Sequence, residues 1–495
     1  MSKRELAPSY GLRRVKCDEA RPACVRCTST GRVCDGYKVL LGSGGGGGGG
    51  ASTPPASLAM IRAPSSCADP LETRSLQFYI ERTISQFQLF FPDDFWNSHV
   101  LQFALSQDCI RHALVSLSAH HERYLHPERS AGMPSFAFQQ HNLAIRSLLA
   151  AGDPSKALHV HIVSCLIFIC IEALQGELQS AIRLFKHGLS MIKQLHLKAG
   201  NGCTPSSSSS SSSALQGQDK IMTAVMAFIN RFAVQVVLLD EDTQPEMTIG
   251  DEILPTSKLH LTANTRFASL LEARETLLRL ARDLLSGKAR TPTGRVIAAG
   301  QLQWWSSAFD ALIRDQADRI SKRGVALLEL HQGYLALELK MPNPRQQTLG
   351  IDQHVESDGG DNTPQFAYLV SCAERAVQPD ANEATATATA TAPGPQFYMD
   401  LGVVPILFST ILRCHDADVR HRALSLLREH RLQEGIWDST LTLRVAERIL
   451  SLEASHAPDA PKKVENVAVL MDPDRKSAVV QFELHDSTIE ETLDW

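Results

Sequence analysis

The sequence predicts a mainly α protein: a small zinc-binding head, a flexible Gly-rich linker, and a large all-helical body that ends in a β-hairpin. Three observations carry that expectation. Cys17, Cys24, Cys27 and Cys34 stand at six-, two- and six-residue spacing among six arginines and lysines between Arg13 and Arg32. Seven consecutive glycines, 44–50, follow and lead into a Pro/Ser stretch. From Leu71 onward apolar residues recur at three- and four-residue intervals in stripe after stripe, the period of amphipathic helices.

The totals agree. At 495 residues the chain is long enough for more than one unit, and 43% hydrophobic with 21% charged residues is ordinary for a globular protein. The net charge of −5 hides an asymmetry: residues 1–40 hold nine Lys/Arg against four Asp/Glu, the rest forty against fifty. A basic head on an acidic body predicts that the head alone meets a polyanion, a class that includes double-stranded DNA. The seven other cysteines (67, 109, 165, 170, 203, 372 and 414) follow no disulfide framework. MSKRELAPSYG has no apolar signal region, and Ile162–Leu174 is too short and interrupted to span a bilayer. The expectation is a soluble intracellular protein with no membrane partner.

The elements follow in order. The segment 39–70 cannot offset its ordering entropy and reads as a tether with a reach on the order of 30 Å. Leu76, Ile80, Ile84 and Phe87 form one helical face, ending before Pro92. Ile110, Ala113, Leu114 and Leu117 form a second stripe, and Phe138, Ile145, Leu148 and Leu149 a third. Leu158–Leu174 is apolar nearly all round, as for a helix at the centre of a core. Leu178, Ile182, Phe185, Leu189 and Ile192 make the next. Low-complexity inserts at 204–213 and 384–392 belong on surface loops. Further helices are expected at Ile221–Leu239, Phe267–Leu285, Gly300–Ile313 (with Trp304, Trp305 and Phe309 as bulk), Val325–Leu339, Val403–Cys414, Asp418–Glu429 and Leu441–Leu452. The body thus runs 71–455. In 456–495, VENVAVL and SAVVQFEL alternate around MDPDRK as a hairpin, followed by an acidic tail.

Chemistry concentrates in residues 11–38. Cys-x2-Cys, at Cys24 and Cys27, is the spacing at which one turn delivers two thiolates to one zinc; Cys17 and Cys34 complete a tetrahedral set. A segment this small has no core, so zinc would supply its folding energy. Arg13, Arg14 and Lys16 precede Cys17 where a short helix could enter a major groove.

RRVKCDEARPACVRCTSTGRVCDGY resembles the last two-thirds of the fungal six-cysteine binuclear zinc-cluster DNA-binding domain. The resemblance implies a nuclear, zinc-dependent, sequence-specific transcription regulator that reads CGG-like triplets. It makes Cys17, Cys24, Cys27 and Cys34 the third to sixth ligands. Arg13, Arg14 and Lys16 become the recognition positions, with Arg14 on base edges and Arg21 and Arg26 on phosphates. The first two ligands would fall where Ala7 and Tyr10 stand, and Gly11 replaces the usual Arg. Either the cluster is degenerate or a start or splice boundary omits both cysteines; the abrupt edge at Gly11 favours the second.

The body resembles the fungal-specific transcription factor region in RHALVSLSAHHERY, HNLAIRSLL, SCLIFICIEALQGELQSAIRLFKHGL, FINRFAVQ and EGIWDS. That implies regulation through effectors or transcriptional coregulators rather than catalysis. Ala233 stands where the family has Asp, which removes a carboxylate for a local salt bridge. The alternative is an interaction protein that keeps the body's partners and cannot bind DNA. No enzyme motif occurs: no HExxH, phosphate loop or G-x-S-x-G. His120 and His121 cannot share a helix face, so capping or surface roles are expected. LDEDTQPE, 239–246, reads as a solvated loop. FELHDSTIEETLDW alternates acidic and apolar residues, a composition suited either to docking a coactivator or to an unstructured end. No heptads follow the cluster, so the head is expected to bind as a monomer or pair only through the body.

Overall fold

The computed structural model describes residues 69–129, 133–150, 158–200, 212–239, 261–285, 291–317, 319–341, 362–378, 394–454, 463–472, 477–484 and 487–494. All lie in the unit Ile61–Trp495. The expected zinc head, the linker, most of the Ser insert, the Ala/Thr insert and residues 240–246 of the acidic loop lie outside the described residues.

Helix α1 (Pro70–Phe78) starts where Asp69 accepts a hydrogen bond from Leu71 N at 3.0 Å and proline occupies the first turn. It runs through a π-helical turn, Tyr79–Thr83, into α2 (Ile84–Phe87). The wider turn shifts the buried face: Ser75, Tyr79 and Thr83 point inward before Ile84 and Phe87 take over, while Leu76 and Ile80 are only partly covered. A second π turn, Phe95–His99, enters α3 (Val100–Ser106). In α4 (Asp108–Leu125) the predicted stripe Ile110, Ala113, Leu114 and Leu117 is fully buried.

Helix α5 (Met133–Ala150) forms as expected but turns its other side inward. Phe136, Ala137, Gln140 and Ala144 are buried, whereas Phe138, Ile145 and Leu149 are exposed. Phe136 and Ala137 pack with Val115 and Ala119 of α4. Helix α6 (Leu158–Gln175) is buried nearly all round between α4 and α7 (Leu178–Gly200). Then come α8 (Ser212–Leu239), α9 (Leu270–Leu285), α10 (Pro292–Gln316), α11 (Lys322–Lys340) and α12 (Thr363–Val377). Trp305 and Phe309 stack in the core, but Trp304 faces solvent. Leu158–Gln175 and Lys220–Leu239 are long and apolar enough to cross a membrane by composition; here both are packed into protein.

A short sheet interrupts the helices. Strand β1 (Gln396–Tyr398) pairs parallel with β2 (Leu432–Glu434), which pairs antiparallel with β3 (Trp437–Asp438). Between β1 and β2 lie α13 (Val404–Arg413) and α14 (Ala417–Glu429), and α15 (Ser439–Ala454) follows β3. The predicted hairpin is present as β4 (Val464–Asp472) and β5 (Ser477–Leu484). The acidic end adds a third strand, β6 (Ser487–Asp494), antiparallel to β5. Its Ile489 and Leu493 pack on the cluster formed by α15 and β5, and Glu491 receives Arg448 Nε at 2.6 Å.

Candidate functional site

The residues singled out for chemistry, Cys17, Cys24, Cys27 and Cys34 with Arg13, Arg14, Lys16, Arg21 and Arg26, lie outside the described residues. Their donor set is testable by type: four thiolates complete one tetrahedral zinc site and fall two short of a six-thiolate pair of metals. Among the described residues no group of three or more His, Cys, Asp or Glu could hold a metal. Cys109, Cys165, Cys170, Cys372 and Cys414 are free and buried.

In the body, two motifs far apart in sequence meet. Gln235, closing FINRFAVQ on α8, donates from Nε2 to Met399 O at 2.9 Å and accepts at Oε1 from Ile436 N at 3.3 Å. Trp437 Nε1 donates to Gln235 O at 3.2 Å. EGIWDS is therefore a polar device. Glu434 of β2 accepts from Val403 N and Val404 N, both at 2.9 Å, and from the Tyr398 hydroxyl at 2.5 Å, capping the N-terminus of α13. Burial pushes its carboxyl up to about 7 although all three donors oppose the shift. A Cβ on Gly402 would lie 2.2 Å from this carboxylate, so only glycine fits there. Asp438 caps α15 through Thr440 N at 2.6 Å.

Beneath this lies a buried charge cluster. Arg231 of the same α8 motif reaches Glu275 at 2.8 Å, Asp400 at 3.2 Å and Asp93 at 3.5 Å. Arg274 holds both Asp400 oxygens at 3.0 Å and Glu275 at 2.8 Å, and stacks 4.6 Å from the Phe91 ring centroid. Ala233 brings no carboxylate to Arg231; its three acidic partners come from other elements. Three carboxylates face two guanidiniums. Burial, with Glu275 and Asp93 nearby, keeps the Asp400 carboxyl above its usual range despite both arginines. Glu275 is held below its usual range because Arg274 and Arg231 outweigh its burial. The cluster ties α8, α9, the turn before α3 and the loop after β1 together; it places no nucleophile beside a base.

His120 and His121 are not surface or capping groups: both are buried in α4. His121 Nε2 donates to Gln86 Oε1 at 3.0 Å, an oxygen that Phe397 N also reaches, so Nδ1 accepts from the Thr83 hydroxyl at 2.9 Å. Burial lowers both imidazoles to about 3. A 340 Å³ pocket lies between α12 and α14, lined by Glu374, His421, Arg422, Glu429 and His430. Arg422 there is spent on Glu374 at 2.9 and 3.0 Å, so these two lining residues neutralise each other.

Sequence reasoning flagged the motifs but missed Asp93, Glu275 and Asp400 as partners of Arg231. They come from three separate segments and carry no local signal.

Residues 12–42 match the fungal Zn(2)-Cys(6) binuclear cluster domain, and residues 74–255 match the fungal specific transcription factor domain. The chain is similar to the aspercryptin biosynthesis cluster-specific transcription regulator atnN of Emericella nidulans. The two are 26% identical over 608 aligned positions, covering 98% of this chain and 94% of that one. It is also similar to the transcription regulator lscL of Purpureocillium lilacinum, 28% identical over 202 positions that cover 37% of this chain and 47% of that one. No solved structure matches. With matches to a zinc-binding cluster domain and then to the fungal regulatory domain, and with transcription regulators as its relatives, this chain is a DNA-binding transcription regulator and not an enzyme.

Proposed function

We propose that the protein is a nuclear regulator that reads CGG-like triplets and controls a set of clustered biosynthetic genes. The observation that carries this reading is the near full-length similarity to a cluster-specific regulator, head and body in the same order. Cys17, Cys24, Cys27 and Cys34 hold zinc. Arg13, Arg14 and Lys16 face the major groove, Arg14 on base edges, and Arg21 and Arg26 lie on phosphates. Bound zinc supplies the fold of the head; the arginines supply affinity and register. The body receives coregulators.

Elemental analysis of the purified full-length protein tests the metal assignment. About one zinc per chain is expected from four thiolates, lost together with DNA binding in Cys24→Ser. Ala7 and Tyr10, at the positions of two ligands, favour one second reading: a DNA-binding-deficient interaction protein. Absence of zinc from the full chain, with the body folded, would establish that reading instead.

A further inference from the structure

Arg448 of α15 serves two partners with different edges of one guanidinium. Its Nε and Nη2 donate to the Glu491 carboxylate of β6 at 2.6 and 2.5 Å. Its Nη1 donates to the hydroxyl of Ser451, one turn further along the same helix, at 3.3 Å. Glu491 is the carboxylate that ties β6 to α15. The strand carries Glu490 and Asp494 besides, with no lysine or arginine among its eight residues. Ile489 and Leu493 add apolar contact, and both are only partly buried. Ser451 itself is exposed and stands in the last turn of α15, which ends at Ala454. Helix ends fray, so this turn can open into an extended segment. An arginine three positions before an exposed serine is a charge pattern that arginine-directed protein kinases select. The same spacing at Arg82–Ser85 is built differently: there the serine hydroxyl is turned back on its own helix and donates to Arg82 O at 2.8 Å.

We propose that Ser451 is a phosphorylation site whose modification takes Arg448 from Glu491 and releases β6 from the body. The phosphoryl group comes from ATP through a protein kinase. A bond forms between Ser451 Oγ and the γ-phosphorus, the bond to the bridging oxygen of ADP breaks, and the hydroxyl proton passes to the kinase's base. The product brings a charge of about −1.5 to −2 and three acceptor oxygens to the place that Arg448 Nη1 already reaches. One guanidinium cannot neutralise both a phosphate dianion and Glu491. The strand offers no cation of its own, so it is left repelled. Two further effects act in the same direction. The phosphate lies near the C-terminal end of α15, where the helix dipole disfavours an anion. In that turn Glu453 accepts from Val464 N at 3.2 Å, so fraying there loosens the start of β4 as well. Once free, β6 presents Ile489 and Leu493 among Glu490, Glu491 and Asp494, a composition suited to docking a coregulator. That docking step rests on the reading that the body receives coregulators, whereas the modification and the release stand without it.

The full-length protein, purified with zinc, tests this in two arms. Incubation of the folded chain with an arginine-directed serine kinase and Mg-ATP should place phosphate on Ser451, read by peptide mass spectrometry and absent in Ser451→Ala. Phosphoserine installed at position 451 during translation then isolates the consequence. Amide hydrogen exchange of residues 487–494 should speed up by about tenfold or more, with exchange in α4 and α6 unchanged. Arg448→Gln should speed the same amides without phosphate, and phosphoserine added to that variant should bring less than about a threefold further change. No phosphate on Ser451 in the folded chain overturns the proposal. So does exchange of β6 that phosphoserine leaves unchanged, or a full response that persists in Arg448→Gln. Zinc content and DNA binding on the same samples keep the tests apart: release of β6 in a chain that holds no zinc and binds no DNA leaves the switch and removes the regulator.

Discussion

Gly435 lies against Gln235 so closely that a Cβ on the glycine would sit 2.0 Å from the glutamine Oε1, and its φ of +56° is in the left-handed region. The two residues lock EGIWDS onto α8. Gly435→Ala adds backbone strain of roughly 1–2 kcal/mol to overpacking of roughly 1–3 kcal/mol. Urea denaturation should therefore show a loss of at least about 2 kcal/mol. Gln235→Ala removes the clash but leaves Ile436 N and Met399 O unpaired, so the double variant should stay below the wild type.

The Arg231 cluster makes a second prediction. Removing one partner of a buried ion pair leaves uncompensated charge, so Arg231→Met should cost about 3–5 kcal/mol. Adding Asp400→Asn removes one of the three carboxylates and should restore part of that loss. A double-mutant cycle by chemical denaturation reads the coupling, expected at about 1–3 kcal/mol. Strict additivity would mean that the two residues do not interact.

Acid should unfold the body. His120 and His121, lowered to about 3, and His331, lowered to about 4, are neutral in the fold and take up protons on unfolding. Their stability is present above about pH 6.5 and is lost as pH falls toward these values, up to about 3–5 kcal/mol each. Glu434, raised to about 7, works the other way. Its contribution is present below its unfolded value and lost as pH rises through about 7, at most about 3 kcal/mol. Asp400, also raised, adds to Glu434's side, but three proton-acceptors with large shifts outweigh these two donors, so net stability between pH 4.5 and 6.5 should fall with acidification. Glu434→Gln should steepen that fall, since it removes the Glu434 share of the opposing slope, while lowering stability at pH 7 by turning an amide N–H toward a backbone donor. A pH series of urea midpoints checks both signs.

The helices were legible because burial of one face sets a repeat that length and composition do not blur. The face of α5 was not, because FAFQQHNLAIRSLL offers apolar residues on two sides, and packing on Val115 and Ala119 selects Phe136 and Ala137. Strands of two and three residues, such as β3 and β1, are too short to show a period. The acidic end was read by composition alone; its alternation also fits an edge strand whose Ile489 and Leu493 face α15. The chemistry of the head was legible because metal ligation fixes spacing within one short segment. The Arg231 cluster was not, because Asp93 and Asp400 are separated by most of the body.

The central claim is that zinc-loaded protein binds DNA by sequence. Fluorescence anisotropy of the full-length chain on a duplex carrying CGG triplets, beside a scrambled duplex, tests it most directly. The expected result is preferential binding to the CGG duplex that chelation abolishes, that falls steeply with salt, and that Arg14→Ala reduces by about 1–3 kcal/mol. Equal affinity for both duplexes, or binding untouched by chelation, would contradict the claim.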